Sequence, residues 1–171
     1  MLHCTILVAI GANLPGPLGR TPVETCDWAL DRLAGLPGLR LVARSRWYRS
    51  SPVPPSGQPD YINGAVRLSG AAEPHALLAQ LHAIEAEAGR HRAEVNAART
   101  LDLDLLAVDD LVIEAAGLVL PHPRLHHRAF VLLPLAEVAP AWTHPRLGPL
   151  AALVEAVDKA GVEAMAPPDG G

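Results

Sequence analysis

Continuous and alternating runs of apolar residues predict four β-strands along this chain. Residues 5–10 form a continuous apolar run with β-branched side chains, which is typical of a buried strand. The other three strands are predicted over residues 39–48, 61–68 and 99–106. A weak hairpin is predicted to follow the last of them, over residues 109–120.

Apolar residues at helical spacing predict helices between and after these strands. The first helix begins with Thr21 as its N-cap, Pro22 in its first position and an acid in its first turn, and it ends at Gly35. The second spans residues 73–89 and has leucines along one face. The later helices are predicted over 125–138 and 150–157, and residues 166–171 form a flexible tail.

The β-α-β-β-α-β order of the first six elements is the ferredoxin-like arrangement. It predicts an α+β fold, in which an antiparallel sheet carries helices on both faces in three α/β/α layers. A length of 171 residues fits one domain, over residues 1–165, since no repeat and no linker divides the chain.

Two acids lie on the fourth predicted strand. Side chains alternate across a strand, so Asp102 and Asp104 point to one face, with Cα atoms roughly 6.6–6.8 Å apart. Leu101, Leu103 and Leu105 point to the other face, into a core. Two such carboxylates, together with phosphate oxygens and water, suit magnesium. The alternative is an amphipathic edge strand whose acidic face is solvated.

Arginines flank this acidic strand. Arg90, Arg92 and Arg99 precede it, and Arg128 follows it. A guanidinium group binds phosphate through two parallel hydrogen bonds and stays charged at every working pH. Arg90 and Arg92 would equally suit a solvated helix C-terminus. The polar segment 90–98 has no apolar period, which predicts a mobile lid before the acidic strand.

Histidines and rings supply further candidates. His122 lies between two prolines, whose fixed backbone suits a ligand contact, although a lone histidine is more often structural. His126 and His127 do not match the spacing of a closed zinc site. Tyr61 and Asn63 share a strand face, where a ring and an amide could bind a flat heterocycle; ordinary packing is the alternative for Tyr61 and for Phe130.

Composition excludes several classes of protein. Half of the residues are hydrophobic and the formal net charge is −4, which argues against a basic nucleic-acid surface. Lys159 is the only lysine among 14 basic residues, so a phosphate-binding P-loop is excluded. Cys4 and Cys26 have neither a CxxC nor a metal-ligand spacing, and they imply nothing beyond a reduced, cytosolic default. The N-terminal apolar run is too short for a signal peptide or a membrane span.

Together these segments resemble the family of 6-hydroxymethyl-7,8-dihydropterin pyrophosphokinases, enzymes of folate biosynthesis. The resemblance extends from about residue 6 to residue 140, and the R-T-L-D-L-D run at 99–104 with the upstream G-R-H-R at 89–92 is its most specific part. The other matching segments are G-A-N-L at 11–14, Y-R-S-S-P at 48–52, Q-P-D-Y-I-N at 58–63, Glu85, P-H at 121–122 and R-A-F at 128–130.

The resemblance implies transfer of a pyrophosphoryl group from ATP to the pterin hydroxymethyl group, with AMP as the other product. Two magnesium ions, bound with ATP, would be held by Asp102 and Asp104, and the implied catalytic residues are Arg90, Arg99, Asp102 and Asp104. The implied ATP contacts are His82, Glu85, Arg90, Arg92, Arg99, Leu105, His122 and Arg128. The implied pterin contacts are Ser50, Val53, Tyr61, Asn63, Asp102 and Phe130. We expect no nucleic-acid or membrane partner and a monomeric, cytoplasmic protein.

Three departures from the family pattern concern residues expected to contact the substrates. Many members carry Arg-Trp-Gly-Pro in the lid, whereas residues 94–98 here are one residue shorter and lack the Arg and Trp. His82 replaces a Gln that often helps to hold ATP, and Ser51 replaces the first proline of a T-P-P motif. Closure of the lid over ATP is therefore expected to differ from that of relatives.

Two other functions are compatible with the same residues. A metal-dependent hydrolase or nucleotidyltransferase would use the acids to activate water or a sugar hydroxyl group. A non-catalytic nucleotide-binding module would keep the site but lack turnover. AMP formation that depends on the pterin distinguishes the pyrophosphokinase from both.

Overall fold

The computed structural model describes residues 3–52, 55, 57–89 and 100–166. The strands are β1 (Cys4–Ala12), β2 (Leu39–Arg44), β3 (Tyr48–Ser50), β4 (Tyr61–Gly70), β5 (Asp102–Val108), β6 (Ile113–Ala115), β7 (Leu118–Leu120), β8 (Thr143–His144), β9 (Gly148–Pro149) and β10 (Val162–Ala164). The α-helices are α1 (Pro22–Ala34), α2 (Pro74–Glu87), α3 (Ala129–Val138) and α4 (Leu150–Ala156), and short 3₁₀ helices span Pro17–Gly19 and Leu125–His127.

The main sheet is antiparallel and is built around β1 and β4. β1 pairs with β4 along its whole length and with β5 on its other side. The outer side of β4 is shared, because β3 pairs with its beginning and β2 with its end. β10 adds to β3 at the edge, so the order is β10-β3-β4-β1-β5 with β2 beside β4. This order brings the two carboxylates of β5 next to the first strand.

Both early helices begin as the sequence predicts. The Thr21 hydroxyl accepts a hydrogen bond from the Glu24 N–H at 3.2 Å, and the Glu24 carboxylate accepts one from the Thr21 N–H at 3.1 Å. This reciprocal capping box, with Pro22 in the first turn, satisfies donors that the helix itself cannot pair. The carboxylate of Glu73 caps α2 in the same way, since it accepts from the N–H groups of His75 and Ala76.

The alternation of β1 gives the sheet two apolar faces. Ile6, Val8 and Ile10 pack with residues of α1 and α2, and they are almost fully buried. Leu7 and Ala9 point to the other face, where they pack with residues of α3 and α4. A strand with apolar side chains on both faces needs cover on both, which explains why residues 5–10 read as one continuous apolar run.

The prediction of one continuous strand over residues 39–48 is wrong, since the strand is interrupted between β2 and β3. At the break, the Ser45 N–H donates to the Ala65 carbonyl, but the Ala65 N–H donates to the Ser45 hydroxyl instead of a strand carbonyl. The hydroxyl in turn donates to the Arg46 carbonyl at 2.7 Å. A serine side chain that takes over backbone hydrogen bonds interrupts the ladder, and periodicity does not reveal this.

The predicted helix over residues 125–138 is also two elements. Arg128 has an extended backbone (φ −121°, ψ 103°), which separates the 3₁₀ turn from α3. No glycine or proline lies between Leu125 and Phe130, so the sequence does not mark the break.

The predicted fourth strand begins three residues later than expected, at Asp102. The hairpin within 109–120 is confirmed as β6 and β7, whereas the short strand β10 was not predicted.

Several predictions fall outside the described residues. They are the mobile lid over 90–98, the positions of Arg90, Arg92, Arg99 and Val53, and nearly all of the tail. Within the part of the chain that the structure describes, no helix is long and apolar enough to cross a membrane.

Candidate active site

The two acids of β5 lie on one face of the strand, as predicted. In the register of the sheet, Asp102 stands opposite Gly11 and Asp104 opposite Ala9. Both acids are half-buried, whereas the intervening Leu103 is 3% exposed and belongs to the core on the opposite face. The leucines therefore hold the strand in place and present the carboxylates to the other side.

A first cavity of about 250 Å³ lies against this acidic face. Its floor is β1, its sides are β3 and β4, and α3 closes it from the other direction. The lining residues are Ala9, Ile10, Gly11, Ser50, Ser51, Tyr61, Asn63, Asp102, Asp104, Arg128, Phe130 and Val131. Two aromatic rings, two acids, an amide and two serine hydroxyl groups thus surround one space.

Polar groups of the first cavity are held in fixed positions. Asn63 and Ser50 are 5% and 4% exposed, and the Asn63 amide nitrogen donates to the Ser50 hydroxyl oxygen at 2.7 Å. Because Ser50 is paired with Tyr61 in the register of β3 and β4, both residues of that pair reach the cavity. The Arg128 guanidinium lies 5.6 Å from the centre of the Phe130 ring, within the range of a cation–π contact.

A second cavity of about 360 Å³ shares the two acids with the first. It is lined by Leu78, His82, Glu85, Asp102, Leu103, Asp104, Leu105, Gly117, Leu118, Val119, His122 and Pro123. Asp102 and Asp104 therefore form a common wall, so that a group bound in one cavity meets a group bound in the other beside two carboxylates.

Glu85 supports this wall from α2. The residue is 1% exposed, and its carboxylate accepts a hydrogen bond from the Leu103 N–H at 2.8 Å. Leu103 lies between the two acids, so this hydrogen bond holds the strand at the point where both carboxylates project. A buried carboxylate is found only where its oxygens are hydrogen-bonded, and here the partner includes the backbone of β5.

His122 enters the second cavity in a defined protonation state. Burial lowers the pKa of its imidazole, and the positive charge of Arg128 lowers it further, although Asp102 opposes this. The ring Nδ1 accepts a hydrogen bond from the Arg124 N–H at 3.2 Å, while the His122 N–H donates to the Leu106 carbonyl. The neutral ring therefore carries its proton on Nε2, as a hydrogen-bond donor.

Asp102 and Asp104 suit a metal ion whose remaining ligands are phosphate oxygens and water instead of further side chains. Among the described residues, no group of three or more His, Cys, Asp or Glu side chains could hold a metal ion. Two carboxylates on one strand face are a donor set of hard oxygens, which suits magnesium when phosphate oxygens and water complete its shell. The histidine alternative gains no support, since His126 and His127 line neither cavity. Their ring centroids lie 3.8 Å apart, with the rings tilted by 46°.

Most predicted site residues in the described part of the chain do come together. The first cavity contains every predicted pterin contact except Val53, which lies outside the described residues, and Arg128, predicted as an ATP contact, lines it as well. The second contains His82, Glu85, Leu105 and His122. Sequence reasoning missed Gly117, the β7 residues Leu118 and Val119, and also Gly11 and Ser51. For Gly11 the signal was present, because the turn G-A-N-L directly follows a buried strand.

Comparison with known proteins identifies the family. A family model described as 7,8-dihydro-6-hydroxymethylpterin-pyrophosphokinase (HPPK) matches residues 7–140. A 2-amino-4-hydroxy-6-hydroxymethyldihydropteridine pyrophosphokinase from Synechocystis is 43% identical over 94% of this chain and 80% of its own. The protein of that name from Pseudomonas aeruginosa is 39% identical over 94% and 96%.

A solved structure shares the fold. The crystal structure of a Plasmodium falciparum HPPK-DHPS triple mutant matches 90% of this chain with a TM-score of 0.68 at 13% identity, and the chain spans 41% of that longer protein. The chain thus belongs to the 7,8-dihydro-6-hydroxymethylpterin-pyrophosphokinase family and is a pyrophosphokinase of folate biosynthesis.

Proposed function

We propose that this enzyme transfers the pyrophosphoryl group of ATP to 6-hydroxymethyl-7,8-dihydropterin, which gives AMP and the pterin diphosphate. The observation that carries the proposal is the common wall: one pair of carboxylates, Asp102 and Asp104, lines two neighbouring cavities. A reaction between two bound substrates requires such a meeting point, whereas a module that only binds a nucleotide does not.

The first cavity is proposed to bind the pterin. Its two rings, Tyr61 and Phe130, can contact a flat heterocycle, and the Asn63 amide and Ser50 hydroxyl can form hydrogen bonds with the polar edge. A buried polar pair beside aromatic surface discriminates well, because a ligand that lacks the matching groups leaves buried donors or acceptors unpaired.

The second cavity is proposed to bind ATP, through His82, Glu85, Leu105 and His122. With its proton on Nε2, His122 can donate a hydrogen bond to a phosphate oxygen. Arg128 lines the first cavity and its charge acts on His122, which supports the proposal that its guanidinium contacts phosphate between the two sites. The roles of Arg90, Arg92 and Arg99 stay predictions from the resemblance.

The proposed reaction forms one bond and breaks one at the β-phosphorus of ATP. The hydroxymethyl oxygen of the pterin bonds to that phosphorus and its proton is released to solvent. The bond from phosphorus to the oxygen shared with the α-phosphate breaks, and AMP leaves with both electrons of that bond. Transfers of this kind need in-line positioning and neutralisation of charge more than covalent help from the protein. The two cavities are proposed to provide the positioning, and Arg128 to contribute to the neutralisation.

Asp102 and Asp104 are proposed to hold Mg²⁺ on the ATP phosphates. When bound there, the metal would neutralise phosphate charge and orient the transferring group. The chain's own contribution is to present both carboxylates at one face of β5, with Glu85 fixing the backbone between them.

The ferredoxin-like, three-layer description of the fold belongs to the same proposal. The strand order β5-β1-β4 with β2 and β3 beyond it, and the two apolar clusters on opposite faces, support it. We also infer one domain over residues 1–165, since β10 joins the same sheet as β1. The monomeric state and the cytoplasmic location stay predictions.

The experiment that tests the function is incubation of the protein with MgATP, with and without hydroxymethyl-dihydropterin. We expect AMP and a pterin diphosphate, in equal amounts, only when both substrates are present. The variants Asp102→Asn and Asp104→Asn are expected to lower turnover roughly 10³-fold or more, because bound metal supplies several kcal/mol of charge stabilisation. Nucleotide breakdown without pterin would indicate a hydrolase instead, and nucleotide binding with no turnover would indicate a binding module.

A further inference from the structure

A cluster formed by Arg46, Tyr48 and Glu137 lies outside both substrate cavities and joins α3 to the sheet. The Arg46 N–H donates to one Glu137 carboxylate oxygen at 3.0 Å, and the Arg46 Nε donates to the other at 3.1 Å. The Tyr48 hydroxyl donates to that second oxygen as well. One carboxylate therefore accepts three hydrogen bonds across residues separated by about ninety positions.

This Glu137 cluster has a defined relation to the first cavity. Glu137 and Phe130 are seven residues apart on α3, which is almost two full turns, so they lie on the same side of the helix. Tyr48 and Ser50 are two residues apart on β3 and therefore share a strand face, where both are buried. The same two elements thus meet at the Glu137 cluster and again around the cavity, at Phe130 and Ser50.

The protonation states keep the cluster intact near neutral pH. Burial and the hydrogen bond to Glu137 raise the pKa of the Tyr48 hydroxyl to about 12, so it remains a donor. Burial alone would raise the pKa of Glu137, but hydrogen bonds from Arg46 and Tyr48 outweigh this and lower it. The phenol is thus neutral and the carboxylate ionised near neutral pH.

We propose that Tyr48 and Glu137 are positioning residues for the pterin, because their contact sets the distance between α3 and β3 across the first cavity. The proposal rests on the assignment of that cavity to the pterin. Neither residue touches the substrate; each acts through Ser50 on one side and Phe130 on the other. The second cavity is built from α2, β5 and β7, so the binding of ATP is expected to be insensitive to this contact.

The test uses Tyr48→Phe, which keeps the ring, and Glu137→Gln, which keeps the shape of the side chain. Each is expected to raise KM for the pterin about 2- to 12-fold, the scale of one net hydrogen bond, while KM for ATP changes less than about twofold. The double variant is expected to be no worse than the poorer single variant, since both changes break the same contact.

The matched control is Glu87→Gln. Glu87 accepts two hydrogen bonds from the Arg32 guanidinium, at 2.7 and 3.0 Å, in a pair that joins α1 and α2 on the opposite face of the sheet. The Glu87→Gln variant breaks a comparable ion pair that lies away from the first cavity, so we expect KM for the pterin to stay unchanged.

Four outcomes would overturn the inference: unchanged KM for the pterin in both variants, equal increases for both substrates, the same increase in the control, or additive effects in the double variant. These results differ from failure of the proposed function, in which the wild-type enzyme itself would form no AMP in response to the pterin.

Discussion

Replacement of Glu85 by alanine is the sharpest test of how α2 supports the acidic strand. The change removes the acceptor of the Leu103 N–H, which is buried between Asp102 and Asp104. A buried N–H group left without a partner costs about 1–3 kcal/mol, and loss of the buried methylene of the side chain adds about 0.8 kcal/mol. We therefore expect Glu85→Ala to lower the free energy of unfolding by about 2–4 kcal/mol.

That loss corresponds to a measurable change in melting temperature. For a domain of this size, 1 kcal/mol shifts Tm by about 2–4 °C, so Glu85→Ala is expected to lower Tm by about 4–16 °C. Thermal unfolding followed by circular dichroism measures the shift. Turnover measured well below the new Tm is expected to fall as well, because the carboxylates of β5 lose the contact that fixes the strand between them.

The variant Glu85→Gln separates this support from a contact with ATP. Glutamine keeps an oxygen that can accept from the Leu103 N–H, so its Tm is expected to stay within a few degrees of the wild type. If the charge of Glu85 also contributes to ATP binding, as the resemblance implies, KM for ATP rises in this variant without loss of stability. A Tm for Glu85→Ala within about 2 °C of the wild type would refute the support role, as would equal destabilisation by Gln and Ala.

Three further predictions concern a ring, the histidines and a packed glycine. Phe130→Ala is expected to weaken pterin binding about 5- to 150-fold, the scale of base–aromatic stacking, with ATP affinity nearly unchanged; calorimetric titration measures both, and equal losses would indicate a packing role. Burial lowers the pKa of three histidines, His122, His126 and His144. The unfolded chain therefore binds more protons once the pH falls below about 6.5, and stability is expected to decline from there toward the lower folded-state pKa values; greater stability at pH 5.5 than at 7.5 in urea titrations would contradict this. Gly64→Ala is expected to lower the free energy of unfolding by about 1–3 kcal/mol, since a Cβ there would overlap the Trp47 ring. In the control Gly57→Ala, the added Cβ points into open space, so the urea midpoint of unfolding should change little.

Sequence patterns predicted the helices and strands that depend only on interactions between residues close together in the chain. The capping box at Thr21 needs only residues within one helical turn. Strand alternation likewise needs no partner to place Asp102 and Asp104 on one face and the leucines on the other. For this reason the acidic pair, the order of the main strands and the family could all be recognised from the sequence.

Tertiary contacts determined three features of the fold that the periodicity of apolar side chains does not predict. The break at Ser45 depends on a hydroxyl that pairs with Ala65 in another strand, twenty residues away. The extended backbone at Arg128 has no glycine or proline to announce it. β10 is only three residues long, and it is a strand because the free edge of β3 pairs with it.

The division of the site into two cavities is the main result that required the fold. The sequence placed Glu85 among possible ATP contacts, but only the packing of α2 against β5 shows its carboxylate on the backbone between the two acids. Similarly, the family resemblance implied that Arg128 contacts ATP, and the structure places it beside Phe130 in the other cavity. Sequence spacing determines which side chains share a strand or helix face, whereas the distance between two faces is set by long-range packing, and that distance decides which residues line the same cavity.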